Sequence, residues 1–443
     1  MGDLKYIEPR ELRSELRILF LCQYFPPEMG APSARTFEHA RHWVRAGHDV
    51  TVVCGLPNHP DGVVPPKYRR TLLYRENIEG INVLRCWLFT TPNRGAIRRS
   101  ISFITFMFSS IFFGGFFSGR CDVVIATSPQ MLCGLGGYIV SRMKRRPFVL
   151  EVRDLWPKQI IELGAVRNRA LVSFLSWLEM FLYRRAQAIV TVAKATEGEI
   201  ASRGVPAEKI YTVTNGIEED FFTVGDRSTA LRQAQGWGDK FIAMYVGTFG
   251  LSQGLGTLLE TAHLLRERDD IHFVLAGTGA EHDRLLKHAA ELALENVTFL
   301  PMQPKENMPE FYATADICLV PLKNLEVFLY NIPSKMFEIM ACARPMILGA
   351  RGQARALLDE AQAGLPVEPE NPESFAAAIT MLADCSALRE RLARNGHTYV
   401  TAHHTRRRKA LNFLRFLERE LHIGVSPAKE SAKQETPPGP RPF

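Results

Sequence analysis

The sequence predicts an α/β protein built of two doubly wound domains that face a cleft, and three observations carry that expectation. The chain has 443 residues, above the size at which one core usually divides into two. Short apolar strands alternate with helical patterns along most of its length, which implies parallel sheets covered on both faces. A strand followed by a glycine-bearing loop and a helix opens each half.

Residues 17–22, RILFLC, read as a buried strand, and the loop QYFPPEMGAPSAR leads into the helical stretch TFEHARHWVRAG, which ends at Gly47 before the strand HDVTVVCG. Further strands are expected at 81–87 (INVLRCW), 121–128 (CDVVIATS) and 147–154 (PFVLEVRD), with apolar helices between them. After the helix RALVSFLSWLEMFLYRRA and the strand AIVTVA come IYTVTNGI, FIAMYVGTFG, HFVLAGTG, VTFLPMQ and ICLVPL, each followed by a turn and a helix. Asn215-Gly216 is a turn signal near the crossover between halves. The expected division is an N-terminal extension (1–16), an N-terminal domain (17–212), a C-terminal domain (213–400), a basic amphipathic helix returning to the N-terminal domain (401–423), and a tail (424–443). The tail, GVSPAKESAKQETPPGPRPF, lacks apolar period and reads as disordered.

The formal net charge of +7 is gathered in clusters such as Arg98-Arg99, Lys144-Arg145-Arg146, Arg184-Arg185 and Arg406-Arg407-Arg408-Lys409. No nucleic-acid motif accompanies them, and two adjoin apolar helices, so the expected anionic partner is a membrane surface and not nucleic acid. Eight cysteines include no CxxC pair, which argues for a reducing cytosol without a zinc or disulfide framework. The charged start MGDLKYIEPRELRSELR fits neither a signal peptide nor a myristoylation motif. Residues 101–118, ISFITFMFSSIFFGGFFS, carry seven phenylalanines and no charge. Three placements are open: spanning a bilayer, buried as a core helix, or lying in the interface with Arg98 and Arg99 at the headgroups. Spanning would put the flanking strands of one sheet on opposite sides of the membrane, and the aromatic excess favours the interface.

The stretch EVFLYNIPSKMFEIMACARPMI, residues 326–347, points to chemistry. Pro333, Ser334 and Lys335 stand at a helix N-terminus, where unpartnered amides and the helix dipole favour a phosphate. Glu338, one turn inside, is placed to accept from both ribose hydroxyls. The competing interpretation is a serine cap flanked by a surface lysine and glutamate. Gly247 and Gly250, and Gly277 and Gly279, follow apolar strands at the ends where open α/β sheets bind ligands, and let backbone approach a phosphate or base. His39, His42 and His48 read as ordinary imidazoles, and no metal site is expected.

The ordered series PPEMGAPSAR, RAGHDVTVV, EVRDLWP, TNGI, YVGTFGLSQGLGTLL, LAGTGAEHDRL, FYATADICLVPL and PSKMFEIMACARPMI resembles glycosyltransferase family 4, and most of all the bacterial branch that builds O-antigen, capsule and exopolysaccharide. The resemblance implies the GT-B fold of two Rossmann-like domains, a nucleotide-sugar donor held by the second domain, a saccharide acceptor held by the first, and transfer with retention without metal or separate cofactor. It implies that Gly30 and Ala31 approach the donor and that Glu338, the second acid of a Glu-x7-Glu motif, holds its ribose. Tyr330 stands where the family usually has the first glutamate, and Thr248 and Gln253 stand where it has the arginine and lysine that grip the diphosphate. The donor site is then expected to comprise Gly247, Thr248, Phe249, Gln253, Gly277, Gly279 and 333–335 with Glu338, the missing charge being supplied by Lys335 and by Arg153 from the opposing domain. Asp154, beside Arg153 where many relatives have His-Asp, is expected to orient sugar hydroxyls, the alternative being a structural Arg-Asp pair. Acceptor contacts are expected from Glu28, Arg35, Asn58, His59 and Asp61. The function expected is glycosyl transfer, in the cytoplasm on the inner face of the cell membrane, to a lipid-linked or soluble saccharide, with a polyprenyl diphosphate as the favoured carrier. An epimerase or hydrolase acting on the same donor, or a non-catalytic binder or membrane scaffold, remains the alternative.

Overall fold

The computed structural model describes residues 15–421, apart from 29, 60–61, 92–95, 165, 167 and 228–229. Apolar runs rich in valine, isoleucine and leucine make two sheets. The first comprises β1 (Arg17–Leu21), β2 (Asp49–Gly55), β3 (Leu73–Ile78), β4 (Ile81–Cys86), β5 (Val123–Ser128), β6 (Phe148–Val152), β7 (Ala188–Thr191) and β8 (Ile210–Thr212). Its order is β3-β4-β2-β1-β5-β6-β7-β8, parallel except where β3 returns antiparallel on β4. The second comprises β9 (Phe241–Val246), β10 (Ile271–Ala276), β11 (Val297–Leu300), β12 (Ile317–Pro321), β13 (Met346–Gly349) and β14 (Gly364–Pro366), all parallel in the order β11-β10-β9-β12-β13-β14. Two Rossmann-like domains are therefore present. In each, strand order reverses at one point, beside β1 in the first and β9 in the second, and ligands of such sheets bind at the crevice there.

Among the described residues, six helices belong to the first half: α1 (Ala31–Arg45), α2 (Ala96–Phe117), α3 (Met131–Lys144), α4 (Lys158–Glu162), α5 (Arg169–Arg185) and α6 (Lys194–Ser202). The second half adds α7 (Ala230–Ala234), α8 (Gly256–Leu264), α9 (His282–Glu291), α10 (Met308–Thr314), α11 (Lys335–Ala341), α12 (Gly352–Ala361), α13 (Pro372–Asp384) and α14 (Ser386–His403). The last helix, α15 (Arg406–Leu421), packs against α1 of the first half. There the Trp43 indole, fully buried, donates to the Ala410 carbonyl at 3.0 Å and meets the Phe413 ring edge-on.

The first sheet is sandwiched. One face is covered by α1 and α15 around Trp43, Phe413 and Leu417; the other is covered by α2, α3 and α5. Helix α3 lies so close to β5 that a Cβ on Gly137 would stand 2.4 Å from that of Ala126. The chain crosses between domains twice, at 214–217 and 404–406, and the crossings bond each other: the Ile217 amide donates to His404 and the Arg406 amide to Ile217. A Cβ on Gly216 would stand 2.5 Å from the His404 carbonyl oxygen, so the Asn215-Gly216 turn holds this crossing tight.

Three differences from the sequence reading have physical causes. Helix α1 starts at Ala31, not beyond Arg35, because Pro32 suits a first helical turn and Gly30 takes φ 119° just before it. Strands β3, β13 and β14 escaped notice because the first alternates with charged residues, the second is only four residues, and the third is three residues containing glycine and proline. Helix α2 is not a buried core helix: Phe106 is fully buried while Phe108 and Phe116 are 63% and 68% exposed. Among the described residues it is the one helix long and apolar enough to cross a membrane. The tail at 424–443 and the extension at 1–14 lie outside the described residues.

Candidate active site

The donor side forms where three loops meet at the carboxyl ends of β9, β10 and β12. The loops after β9 and β10 are stitched by backbone bonds, Phe249 amide to Thr278 carbonyl and Glu281 amide to Phe249 carbonyl, each 2.9 Å. Glycine is required where they touch. Gly277 has φ 157°, and a Cβ on it would stand 1.9 Å from the Gly247 carbonyl oxygen. At Gly279 the nearest atom would be the Phe249 carbonyl oxygen at 2.4 Å.

Lys335 begins α11 and reaches this junction. Its ammonium donates to the Val246 carbonyl at 2.8 Å and stands 3.9 Å from the centre of the Tyr245 ring. A Cβ on Gly247 would come within 2.8 Å of that nitrogen, so Gly247 leaves room for the lysine. Burial draws the Lys335 ammonium down to about 8, against the pull of Glu338. Ser334 makes no side-chain cap, since α11 opens with tight turns from Met336 to Pro333 and from Phe337 to Ser334. The serine-cap alternative is thereby removed, and the hydroxyl is not spent on the helix. Pro333 precedes it. Glu338 accepts from the Tyr312 hydroxyl at 2.8 Å through one oxygen, and burial raises its carboxyl against the opposing effects of Tyr312 and Lys305. Thr248 is exposed at the loop tip, and the Gln253 amide oxygen is buried without a partner.

The first domain brings Arg153 and Asp154, just past β6, to the same crevice. Arg153 donates to the Pro32 carbonyl at 3.2 Å, which sets its guanidinium beside Gly30 and the N-terminus of α1. Asp154 lies 3.4 Å from the Asn331 side-chain nitrogen, two residues before Pro333, and burial raises its carboxyl. No bond joins Arg153 to Asp154 among the described residues, so the two serve different neighbours. Tyr330 points away: its hydroxyl donates to Glu199 at 3.0 Å and its ring lies under Lys158, both in the first domain. Glu162 accepts from the Val327 amide at 2.8 Å beside it, so segment 326–331 works as an interdomain contact.

On the acceptor side, Glu28 turns inward from its loop. It is buried and accepts from the amides of Phe25, Asn58 and His59, and burial pushes its carboxyl up to about 7. It therefore fixes the loop carrying Asn58 and His59. Arg35 needs correction. It is 3% exposed, paired with Glu151 at 2.9 Å, and donates to the carbonyls of Val213 and Thr214 and to the Asn215 side chain. Those bonds commit it to the interior, where α1 placed it, and away from an acceptor. Asp61 lies outside the described residues, as does the Ala31 side chain. His39 is buried beside Trp43 and held neutral by desolvation, His42 bonds Glu218, and His48 accepts from the Leu16 amide.

Sequence reasoning missed four contributors: Tyr245 under Lys335, Tyr312 on Glu338, Asn331 across from Asp154, and Lys305. Tyr245 was within reach, because it alternates with Val246 one step before the glycine loop. Lys305 was not, since its partner Glu38, shared with Arg406, sits in α1 of the other domain.

The comparisons agree on one class. Residues 30–216 match the model of a glycosyl transferase 4-like domain, and residues 227–399 match that of glycosyl transferases group 1. The chain is 26% identical over 375 residues to the putative colanic acid biosynthesis glycosyl transferase WcaI of Escherichia coli K12, covering 82% of this chain and 91% of that one. It is 25% identical over 269 residues to an alpha-D-kanosaminyltransferase of Streptomyces kanamyceticus, covering 58% and 67%. Among solved structures, a sucrose-phosphate synthase from Thermosynechococcus elongatus superposes with TM-score 0.73 at 19% identity, over 92% of this chain and 99% of that one. HepE of Anabaena in complex with UDP-glucose does so with TM-score 0.69 at 15% identity, over 91% and 100%. At these identities the structural likeness concerns the fold.

Proposed function

This chain belongs to the group 1 glycosyl transferases, with a glycosyl transferase 4-like first half, and moves a sugar from a nucleotide sugar; from that premise we propose a retaining enzyme whose acceptor is a saccharide carried on a polyprenyl diphosphate. It works in bacterial surface polysaccharide synthesis, in the cytoplasm on the inner face of the membrane. The name of the relative WcaI, which refers to colanic acid biosynthesis, supports that setting.

One observation carries the proposal. Asp154 of the first domain meets Asn331 of the second across the crevice, with Arg153 held beside the N-terminus of α1 and Lys335 seated at the glycine loops of β9 and β10. Lys335 and Arg153 meet the diphosphate charge that Thr248 and Gln253 leave uncovered, and Glu338 takes the ribose through the oxygen that Tyr312 leaves open. No metal and no separate cofactor are invoked. Asp154 orients sugar hydroxyls. In the reaction the acceptor oxygen bonds to the anomeric carbon while the bond to the departing diphosphate breaks on the same face, and the acceptor proton passes to a diphosphate oxygen. Stabilising that leaving group is the largest demand on the protein.

Incubating the protein with donor and acceptor and analysing products tests this directly. A glycosylated acceptor with unchanged anomeric configuration is expected; free sugar alone means hydrolysis, an isomerised donor means epimerisation, and either outcome overturns the proposal. Calorimetry with nucleoside diphosphates checks the donor grip: Glu338→Ala is expected to weaken the preferred one by about tenfold or more, the scale of a lost hydrogen bond to a charged group.

A pH series adds a second check on Lys335. Its ammonium deprotonates near 8 in the free protein. A diphosphate prefers the charged form, so affinity should be constant between about pH 7 and pH 8, where the diphosphate itself stays fully ionised, and fall toward tenfold per pH unit above it. Lys335→Met should bind weakly throughout and show no such break.

A further inference from the structure

We propose that the protein rests on an anionic bilayer through the whole outer face of the α2, α3 and α5 layer, with α5 supplying a second aromatic strip parallel to that of α2. This deepens the peripheral placement proposed above and rests on it.

The topology sets the geometry. Helices α2, α3 and α5 lead from β4 to β5, β5 to β6 and β6 to β7, so they run in one direction on one side of the sheet. Helix α3 lies between the others and packs on both. On the outer surface of α2, Phe108, Phe112 and Phe116 recur every four residues and are exposed. On α5, Leu171, Phe174 and Trp177 recur every three and are exposed too, with the rings of Phe174, Trp177 and Phe181 stacked in a row at 6.0 and 5.6 Å. Between the two strips α3 presents Leu135, Ile139 and Met143. Among the described residues the opposite face of the sheet offers no such surface, because α1 and α15 cover it.

Charge selects the occupant. The three helices carry one acid, Glu179, which is 4% exposed and paired with Arg203. Exposed cations stand at both ends: Arg98 and Arg99 open α2, while Arg142, Arg145, Arg184 and Arg185 close α3 and α5. Arg185 lies over the Phe181 ring, and Arg75 donates to the Phe117 carbonyl at the far end of α2. An apolar, aromatic face rimmed by arginines and free of exposed carboxylates fits lipid headgroups above acyl chains. A second copy would bring the same positive rims into opposition.

The placement serves the reaction. The N-termini of these helices stand at the carboxyl ends of the strands, where the crevice opens, and a hollow of about 540 Å³ between α4 and α5 is lined there by Ile161, Val166 and Val172. Helix α4 starts four residues after Asp154, so one wall of this hollow belongs to the segment that leads to the crevice.

Cosedimentation with vesicles of phosphatidylcholine and phosphatidylglycerol, mixed about 3:1, against phosphatidylcholine alone tests the proposal with Phe108→Ser/Phe112→Ser and Phe174→Ser/Trp177→Ser. Each pair is expected to reduce partitioning onto the anionic vesicles by about tenfold or more, and the wild type should release in high salt. Unchanged nucleoside diphosphate affinity and melting temperature in both variants keep the result free of misfolding. Loss confined to the α2 pair overturns the shared face while sparing the peripheral placement. No vesicle binding by the wild type overturns both. Vesicle binding unaffected by the α5 pair, with a change in oligomeric state instead, assigns α5 to a protein contact and overturns the proposal as well.

Discussion

Lys335→Met is expected to lower kcat/KM by about 10²–10³-fold, the loss seen when one donor aimed at developing negative charge is removed. Methionine keeps the stem that packs over Tyr245 and removes the charge that the leaving diphosphate needs. Stability should move the other way. Because the Lys335 ammonium is drawn down to about 8, folding disfavours its charged form, and the unfolded chain binds more protons between about 8 and the ordinary lysine value of 10.5. The wild type therefore gains stability as pH rises through that window, whereas Lys335→Met should start at least as stable at pH 7 and show no such gain. Steady-state kinetics paired with melting curves at pH 7 and 10 separate the two effects. A variant that loses activity and stability together would mean that the lysine holds the fold and not the diphosphate.

Arg35→Ala is expected to destabilise the first domain by about 3–5 kcal/mol, because it strands a buried carboxylate. Glu151 is 1% exposed, and one of its oxygens already has no partner. Burial pulls Arg35 down to about 10 and Glu151 holds it up against that, so each ion depends on the other. The double change Arg35→Met/Glu151→Leu removes both charges and should recover most of the loss, since a buried pair is often no better than its apolar replacement. Denaturant unfolding of the two variants and the wild type checks this. Equal losses in single and double variants would place the stability in the bonds from Arg35 to Val213, Thr214 and Asn215.

Most parallel β-strands, though not β13 and β14, were legible because each is a short apolar run with glycine or a polar turn at its end, and that same punctuation exposed the loops at Gly247 and Gly277. Arg35 was not legible. Whether it faces a ligand or the core depends on where α1 starts, and that depends on Gly30 adopting a positive φ. The burial of Glu28 was not legible for a related reason: its three amide donors come from its own turn and from a loop thirty residues away. Nothing local distinguishes such a carboxylate from a solvated one. Tyr330 stands where the family resemblance implies a glutamate, and only the structure shows that its hydroxyl serves the contact between domains.

Helix α15 also fixes the order in which the protein can be completed during synthesis. The indole of Trp43 bonds a carbonyl 367 residues later, in the helix that together with α1 covers one face of the first sheet. A ribosome therefore releases the entire second domain before the first can close its core. Until then the nascent chain carries a half-clad sheet, a demand that falls on chaperones and on the speed of translation.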